Sequence, residues 1–85
     1  MWRIEYSKQA RKALASMPRY TARTIRAKLV SLSENPNAPN NNVKKLMGRP
    51  GFRLRVGNWR VVYELHDDVL VVLVLDVSPR GGAYQ

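Results

Sequence analysis

This chain of 85 residues has no cysteine, a single histidine, and only six acidic residues against fifteen lysines and arginines. Without cysteine there is no disulfide framework and no thiolate metal site, a composition that fits a reducing compartment. No group of Asp, Glu and His has the spacing of metal ligands, so no metal is expected. No glycine-rich loop follows a strand to open a helix, and no serine has an evident histidine partner, so neither a nucleotide cofactor nor a nucleophile triad is expected. Long hydrophobic runs are missing too. The longest, Val69 to Leu75, is seven residues, whereas a helix needs about 20 to cross a bilayer. The start, Met1-Trp2-Arg3-Ile4-Glu5, does not resemble a signal peptide. The expectation is a cytoplasmic protein with no membrane span and no cofactor.

What is present is positive charge. The net charge is +9 and the pI near 10.7, while the hydrophobic fraction of 45% is ordinary for a folded protein. Such a chain repels itself unless something anionic is near, which points to nucleic acid or an acidic protein as partner. A chain this short builds one core and buries little more than about 60% of its unfolded surface. Residues 1–85 are therefore read as a single domain.

Trp2, Ile4 and Tyr6 alternate with Arg3 and Glu5, the period of a strand with one buried face. Ser7 is a candidate helix N-cap, and Ala10, Ala13, Leu14 and Met17 share one helical face before Pro18 ends the segment. A second helix is predicted from Arg19, with Ala22, Ile25, Leu29 and Leu32 as its stripe, to Asn35-Pro36. Residues 35 to 42 lack periodicity and read as a loop. Alternation returns at Phe52, Leu54 and Val56, then Gly57-Asn58 reads as a two-residue hairpin turn and Trp59 to Leu65 as the next strand. His66-Asp67-Asp68 reads as a turn before a last strand from Val69 to Val77, apolar on both faces as a central strand requires. The order β-α-α-β-β-β predicts an α+β fold, two helices packed on one face of a mainly antiparallel four-stranded sheet.

Closing the hairpin at Gly57-Asn58 sets Val56 opposite Trp59, Arg55 opposite Arg60, Leu54 opposite Val61 and Phe52 opposite Tyr63. One face then carries Phe52, Leu54, Val56, Trp59, Val61, Tyr63 and Leu65, and the other Arg53, Arg55 and Arg60. Like charges directly opposed cost stability. They are either arginines splayed into water or a site for RNA phosphate, and charge alone does not separate the two. Arg80, just past the last strand, falls beside Arg60 if the strands pair antiparallel. Tyr84 is either a stacking platform for a nucleotide base or a frayed end. His66 has a suitable pKa for a general base, about 6.5 unperturbed, but its turn lies at the other end of the hairpin from Arg80 and it reads as a solvated turn residue.

The stretch Val43-Lys44-Lys45-Leu46-Met47-Gly48-Arg49-Pro50-Gly51-Phe52-Arg53-Leu54-Arg55-Val56-Gly57-Asn58-Trp59-Arg60-Val61-Val62-Tyr63-Glu64 resembles the leucine-glycine turn and basic hairpin of the RelE/ParE superfamily of bacterial toxins. The resemblance covers almost the whole chain. It implies a RelE-like fold, no metal, a cognate antitoxin as partner, and cleavage of mRNA in the ribosomal A site. In RelE-type nucleases the active site comes from alternate basic positions before the hairpin, an arginine early in the next strand, a later arginine and a C-terminal tyrosine. The matching positions are Arg53, Arg55, Arg60, Arg80 and Tyr84, and RNA contacts are expected from Arg53, Arg55, Lys44, Lys45 and Arg49. The implied reaction is attack of a 2′-hydroxyl on the adjacent phosphate, giving a 2′,3′-cyclic phosphate and a 5′-hydroxyl.

Two positions depart from the family pattern. Relatives often carry lysine at the first two basic positions, and arginine stays protonated far above neutral pH, so Arg53 and Arg55 are poor general bases. Many relatives also have a histidine where Pro79 stands. The alternatives are a ParE-like inhibitor of DNA gyrase and a non-catalytic module that binds its antitoxin and represses their operon.

Overall fold

The computed structural model describes residues 1–79. Its elements in order are β1 (Arg3–Tyr6), α1 (Lys8–Ser16), α2 (Arg19–Glu34), β2 (Val43–Lys45), β3 (Phe52–Val56), β4 (Trp59–His66) and β5 (Val71–Pro79). The architecture is α+β, two helices on one face of a mixed sheet ordered β1-β5-β4-β3-β2, in which only β1 and β5 run parallel.

Ser7 starts α1 and ties it to the sheet. Its Oγ accepts a hydrogen bond from the Ala10 N–H at 3.0 Å and donates to the Leu75 carbonyl at 2.7 Å, while its own N–H donates to the Val74 carbonyl at 2.8 Å. Pro18 separates the helices, since it sits as the N-cap of α2, where a missing N–H costs nothing. The α2 stripe of Ile25, Leu29 and Leu32 is buried, and the carbonyl of Ser33 accepts from the Trp2 N–H at 2.9 Å, which fastens the end of the helix to β1.

The core lies between the helices and the inner sheet face. Ile25, Leu29, Val61, Tyr63, Val72 and Val74 are fully buried, with Ala10, Leu14, Leu54, Val56 and Val77 beside them. In β5 the inward residues are Val72 and Val74, then Val77. The change of phase is a β-bulge: Val62 pairs with Asp76 but Tyr63 pairs with Val74, so Leu75 is an extra residue. Its carbonyl is the one Ser7 binds.

The sheet has five strands where the sequence predicts four. The added strand, β2, is three residues long with Lys44 and Lys45 both exposed, and it pairs Val43 with Leu54, Lys44 with Arg53 and Lys45 with Phe52. An edge strand this short buries too little to show a periodic pattern. The last strand also begins two residues later than the apolar run suggests. Val69 and Leu70 belong to the turn, exposed by 57% and 52%, and Leu70 has φ +53°, a left-handed backbone that a leucine rarely adopts. Among the described residues no helix is long and apolar enough to cross a membrane.

Candidate nucleic-acid interface

Two glycines shape the basic hairpin. Gly57 adopts φ +57° in the tight turn, which lets β3 and β4 pair from its first residues. Gly51, entering β3, has φ +114°, and a Cβ there would lie 2.9 Å from the Tyr63 carbonyl oxygen, closer than side-chain atoms come. The hairpin register is Val56 with Trp59, Arg55 with Arg60, Leu54 with Val61, Arg53 with Val62 and Phe52 with Tyr63. It is the register that the turn and the alternation predict.

Because Leu54, Val56, Val61 and Tyr63 are buried against the helices, alternation turns Arg53, Arg55 and Arg60 to the opposite face. Arg55 is exposed, Arg53 and Arg60 are half-buried, and the Arg60 Nε is out of reach of solvent. Lys44 joins them by its place beside Arg53 in the β2–β3 ladder. Lys45 pairs with Phe52 and so falls on the other face of the edge strand. Arg49 is in the turn before Gly51, at the far end of β3 from Arg55. The structure thus gathers Lys44, Arg53, Arg55 and Arg60, and leaves Lys45 and Arg49 outside the group. Ser78 pairs with Arg60 and Pro79 with Trp59, so β5 ends next to the hairpin turn. Arg80 and Tyr84 lie outside the described residues.

Three of the six carboxylates have partners other than these arginines. Glu5 binds Arg3 at 3.0 Å, Glu64 is 3.1 Å from His66 Nε2, and Asp76 accepts from Gln9 Nε2 at 3.1 Å. Among the described residues, neither Arg53 nor Arg55 has an ion pair. His66 stands six residues from Arg60 along β4, roughly 20 Å at strand spacing, and is turned to Glu64. Tyr63, the inner-face phenol, has its pKa pushed up to about 12 by burial and stays neutral. Chemically, the group formed by Lys44, Arg53, Arg55 and Arg60 offers cations for an anion. Among the described residues no three of His, Cys, Asp and Glu come together as metal ligands.

Sequence reasoning did not find the surroundings of Arg55. It lines a groove with Lys28 and Asn35 from the end of α2 and Asn42 from the loop before β2. Periodicity marks the helix and treats the asparagines as connector, so no signal in the chain brings them together.

This fold with its arginine-bearing hairpin defines a class, the small toxins of the RelE/ParE superfamily. The family model described as ParE toxin of type II toxin–antitoxin system, parDE, matches residues 4–84, and the chain belongs to this superfamily of type II toxins. RelE1 of Methanocaldococcus jannaschii is 27% identical over 84 residues, 96% of this chain and 93% of that protein. The RelE–RelB complex of Pyrococcus horikoshii superposes with a TM-score of 0.80 at 31% identity, covering 94% of this chain and 96% of that one. The E. coli RelBE complex matches the fold with a TM-score of 0.79 at 24% identity, over 93% of this chain and 96% of its own.

Proposed function

We propose that this toxin is an endoribonuclease that cleaves mRNA in the ribosomal A site without a metal, and that a cognate antitoxin holds it inactive in the cytoplasm. The observation that carries this reading is the direct opposition of Arg55 and Arg60, with Arg53 alongside, on a face turned away from the core. Opposed cations cost stability unless an anion is to be bound between them.

The reaction needs charge more than covalent chemistry. The 2′-hydroxyl gives up its proton to water as its oxygen attacks the adjacent phosphorus, the bond to the 5′-oxygen breaks, and that oxygen takes up a proton, leaving a 2′,3′-cyclic phosphate and a 5′-hydroxyl. Arg60 stabilises the charge growing on the phosphorane oxygens. Arg53 and Arg55, with Lys44, grip the flanking phosphates, and being permanently protonated they act as charges and not as bases. Arg80 stabilises or protonates the leaving 5′-oxygen, and Tyr84 orients the nucleotide. The antitoxin follows from the +9 charge and from the Pyrococcus horikoshii relative, which is a complex with RelB.

A second reading, inhibition of DNA gyrase, is favoured by the ParE description of the matching family. Mapping RNA 5′ ends shortly after induction in growing bacteria separates the two. The nuclease produces new ends inside coding sequence, phased with the reading frame. Intact messages together with blocked supercoiling by purified gyrase would instead establish the ParE-like activity.

A further inference from the structure

The groove beside Arg55 encloses about 320 Å³ between the end of α2, the loop before β2 and the end of β3. That is the lower end of the range for small-molecule sites, about 300–1,000 Å³. We propose that it is a nucleobase subsite, which holds the base of an RNA nucleotide next to the scissile phosphate and reads its hydrogen-bonding edge. The inference rests on the RNA-cleavage reading above.

Its position follows from the ladder. Arg60 pairs with Arg55, and the Arg55 N–H donates to the Asn42 carbonyl at 2.8 Å. Two strand spacings, about 10 Å, therefore separate Arg60 from Asn42. A strand whose phosphate sits at Arg60 runs across Arg55 and delivers a neighbouring nucleotide to the groove, on the side away from Ser78 and the end of β5.

The lining says which part of the nucleotide enters. One end of the groove is lined by the C-terminal turn of α2, where the helix dipole is negative, and Glu34 adds a carboxylate. A phosphate is disfavoured at that end. The cations Lys28, one helical turn or more before the end of α2, and Arg55, on β3, line the rest of the groove, where the backbone of the nucleotide can pass. A neutral ring with amino or imino donors suits the α2 end, since it can donate to the Glu34 carboxylate.

The asparagines supply the complementary donors. Asn40 uses its Oδ1 to accept from the Asn42 N–H at 2.9 Å, which shapes the loop and leaves its amide NH₂. Among the described residues the side chains of Asn35 and Asn42 make no hydrogen bond, so each keeps a donor and an acceptor. Such amides pair with base edges, and one good bidentate pair discriminates against a wrong base by about fivefold or more. Leu32 and Leu54, both buried, provide an apolar wall for the ring.

The test is binding, measured by fluorescence anisotropy on the full chain with short single-stranded RNAs made uncleavable by 2′-O-methylation. Four strands of single-base composition are compared with an abasic strand of equal phosphate number. At least one base-bearing strand should bind about fivefold tighter than the abasic one, and Asn35→Ala/Asn42→Ala should cut that ratio to below about twofold. The salt dependence, which reports phosphate contacts, should not change. Asn42→Asp keeps the size and removes the N–H donor, so it should reorder the four bases even if the double variant folds poorly. Equal binding of abasic and base-bearing strands, or an order of bases indifferent to Asn42→Asp, overturns the subsite. A wild type that prefers one base yet leaves ribosomal messages intact sinks the nuclease reading and leaves the subsite standing.

Discussion

Along the β3–β4 hairpin, Leu54, Val56, Val61 and Tyr63 are sealed against the helices, while Arg53, Arg55 and Arg60, alternating with them on the same strands, face away from that core. The inner residues lose water on folding and gain packing. The outer ones stay in part in water and, in the Arg55–Arg60 pair, set like charges opposite one another, which works against folding. A side chain retained at a cost to stability is doing something else, so stability and activity should separate by face.

The sharpest inner-face break is Tyr63→Ala, which empties the largest fully buried site. By analogy with other aromatic truncations it should cost about 3–5 kcal/mol, read as a fall in the urea midpoint. On the outer face, Arg60→Ala should slow single-turnover cleavage of a ribosome-bound message by about 10²–10³, or roughly 3–4 kcal/mol, with a much smaller loss of stability than Tyr63→Ala. Should both variants lose stability alike and neither lose rate specifically, the two faces are not divided as described.

A subtler inner-face test uses the Tyr63 hydroxyl, which is buried and has no hydrogen-bond partner among the described residues. Its folded pKa, about 12, lies above the ordinary value of 10.0. The phenol is neutral in both states below pH 10, so its contribution is intact there and is lost as pH rises from 10 through 12, while the unfolded chain ionises first. Each unit corresponds to about 1.4 kcal/mol. Tyr63→Phe should therefore unfold less readily than the parent between pH 10 and 12, and at neutral pH should gain about 1 kcal/mol from removing an unsatisfied hydroxyl. Equal alkaline unfolding of the two proteins refutes this.

The smallest expected effect is Arg55→Gln. It should raise stability by a few tenths of a kcal/mol through relief of the opposed charges and lower the salt slope of RNA binding by about one. Destabilisation would mean that Arg55 supports the fold.

The hairpin was readable because several signals agree there. Gly57-Asn58 defines the turn, and alternation over Phe52–Val56 and Trp59–Leu65 leaves one register that buries the apolar set. Ser7 and Pro18 likewise mark the helix boundaries through local chemistry. Where local signals were weak the sequence was silent. The apolar run at Val69 and Leu70 looks like strand, yet the polypeptide turns there. Lys44 and Lys45 are indistinguishable in the chain, and the β2–β3 ladder sends them to opposite faces.

The sequence by itself determined the order of elements, the inner and outer sets of the hairpin, the positive surface and the family. Each depends on residue type, spacing along one segment, or a turn of two residues. Only the tertiary structure decided that β1 runs parallel beside β5, that Leu75 bulges to accept Ser7, and that Asn35, Asn42 and Lys28 meet at Arg55. Those are contacts between segments distant in the chain, and their geometry is chosen by packing over the whole core, which no local pattern encodes.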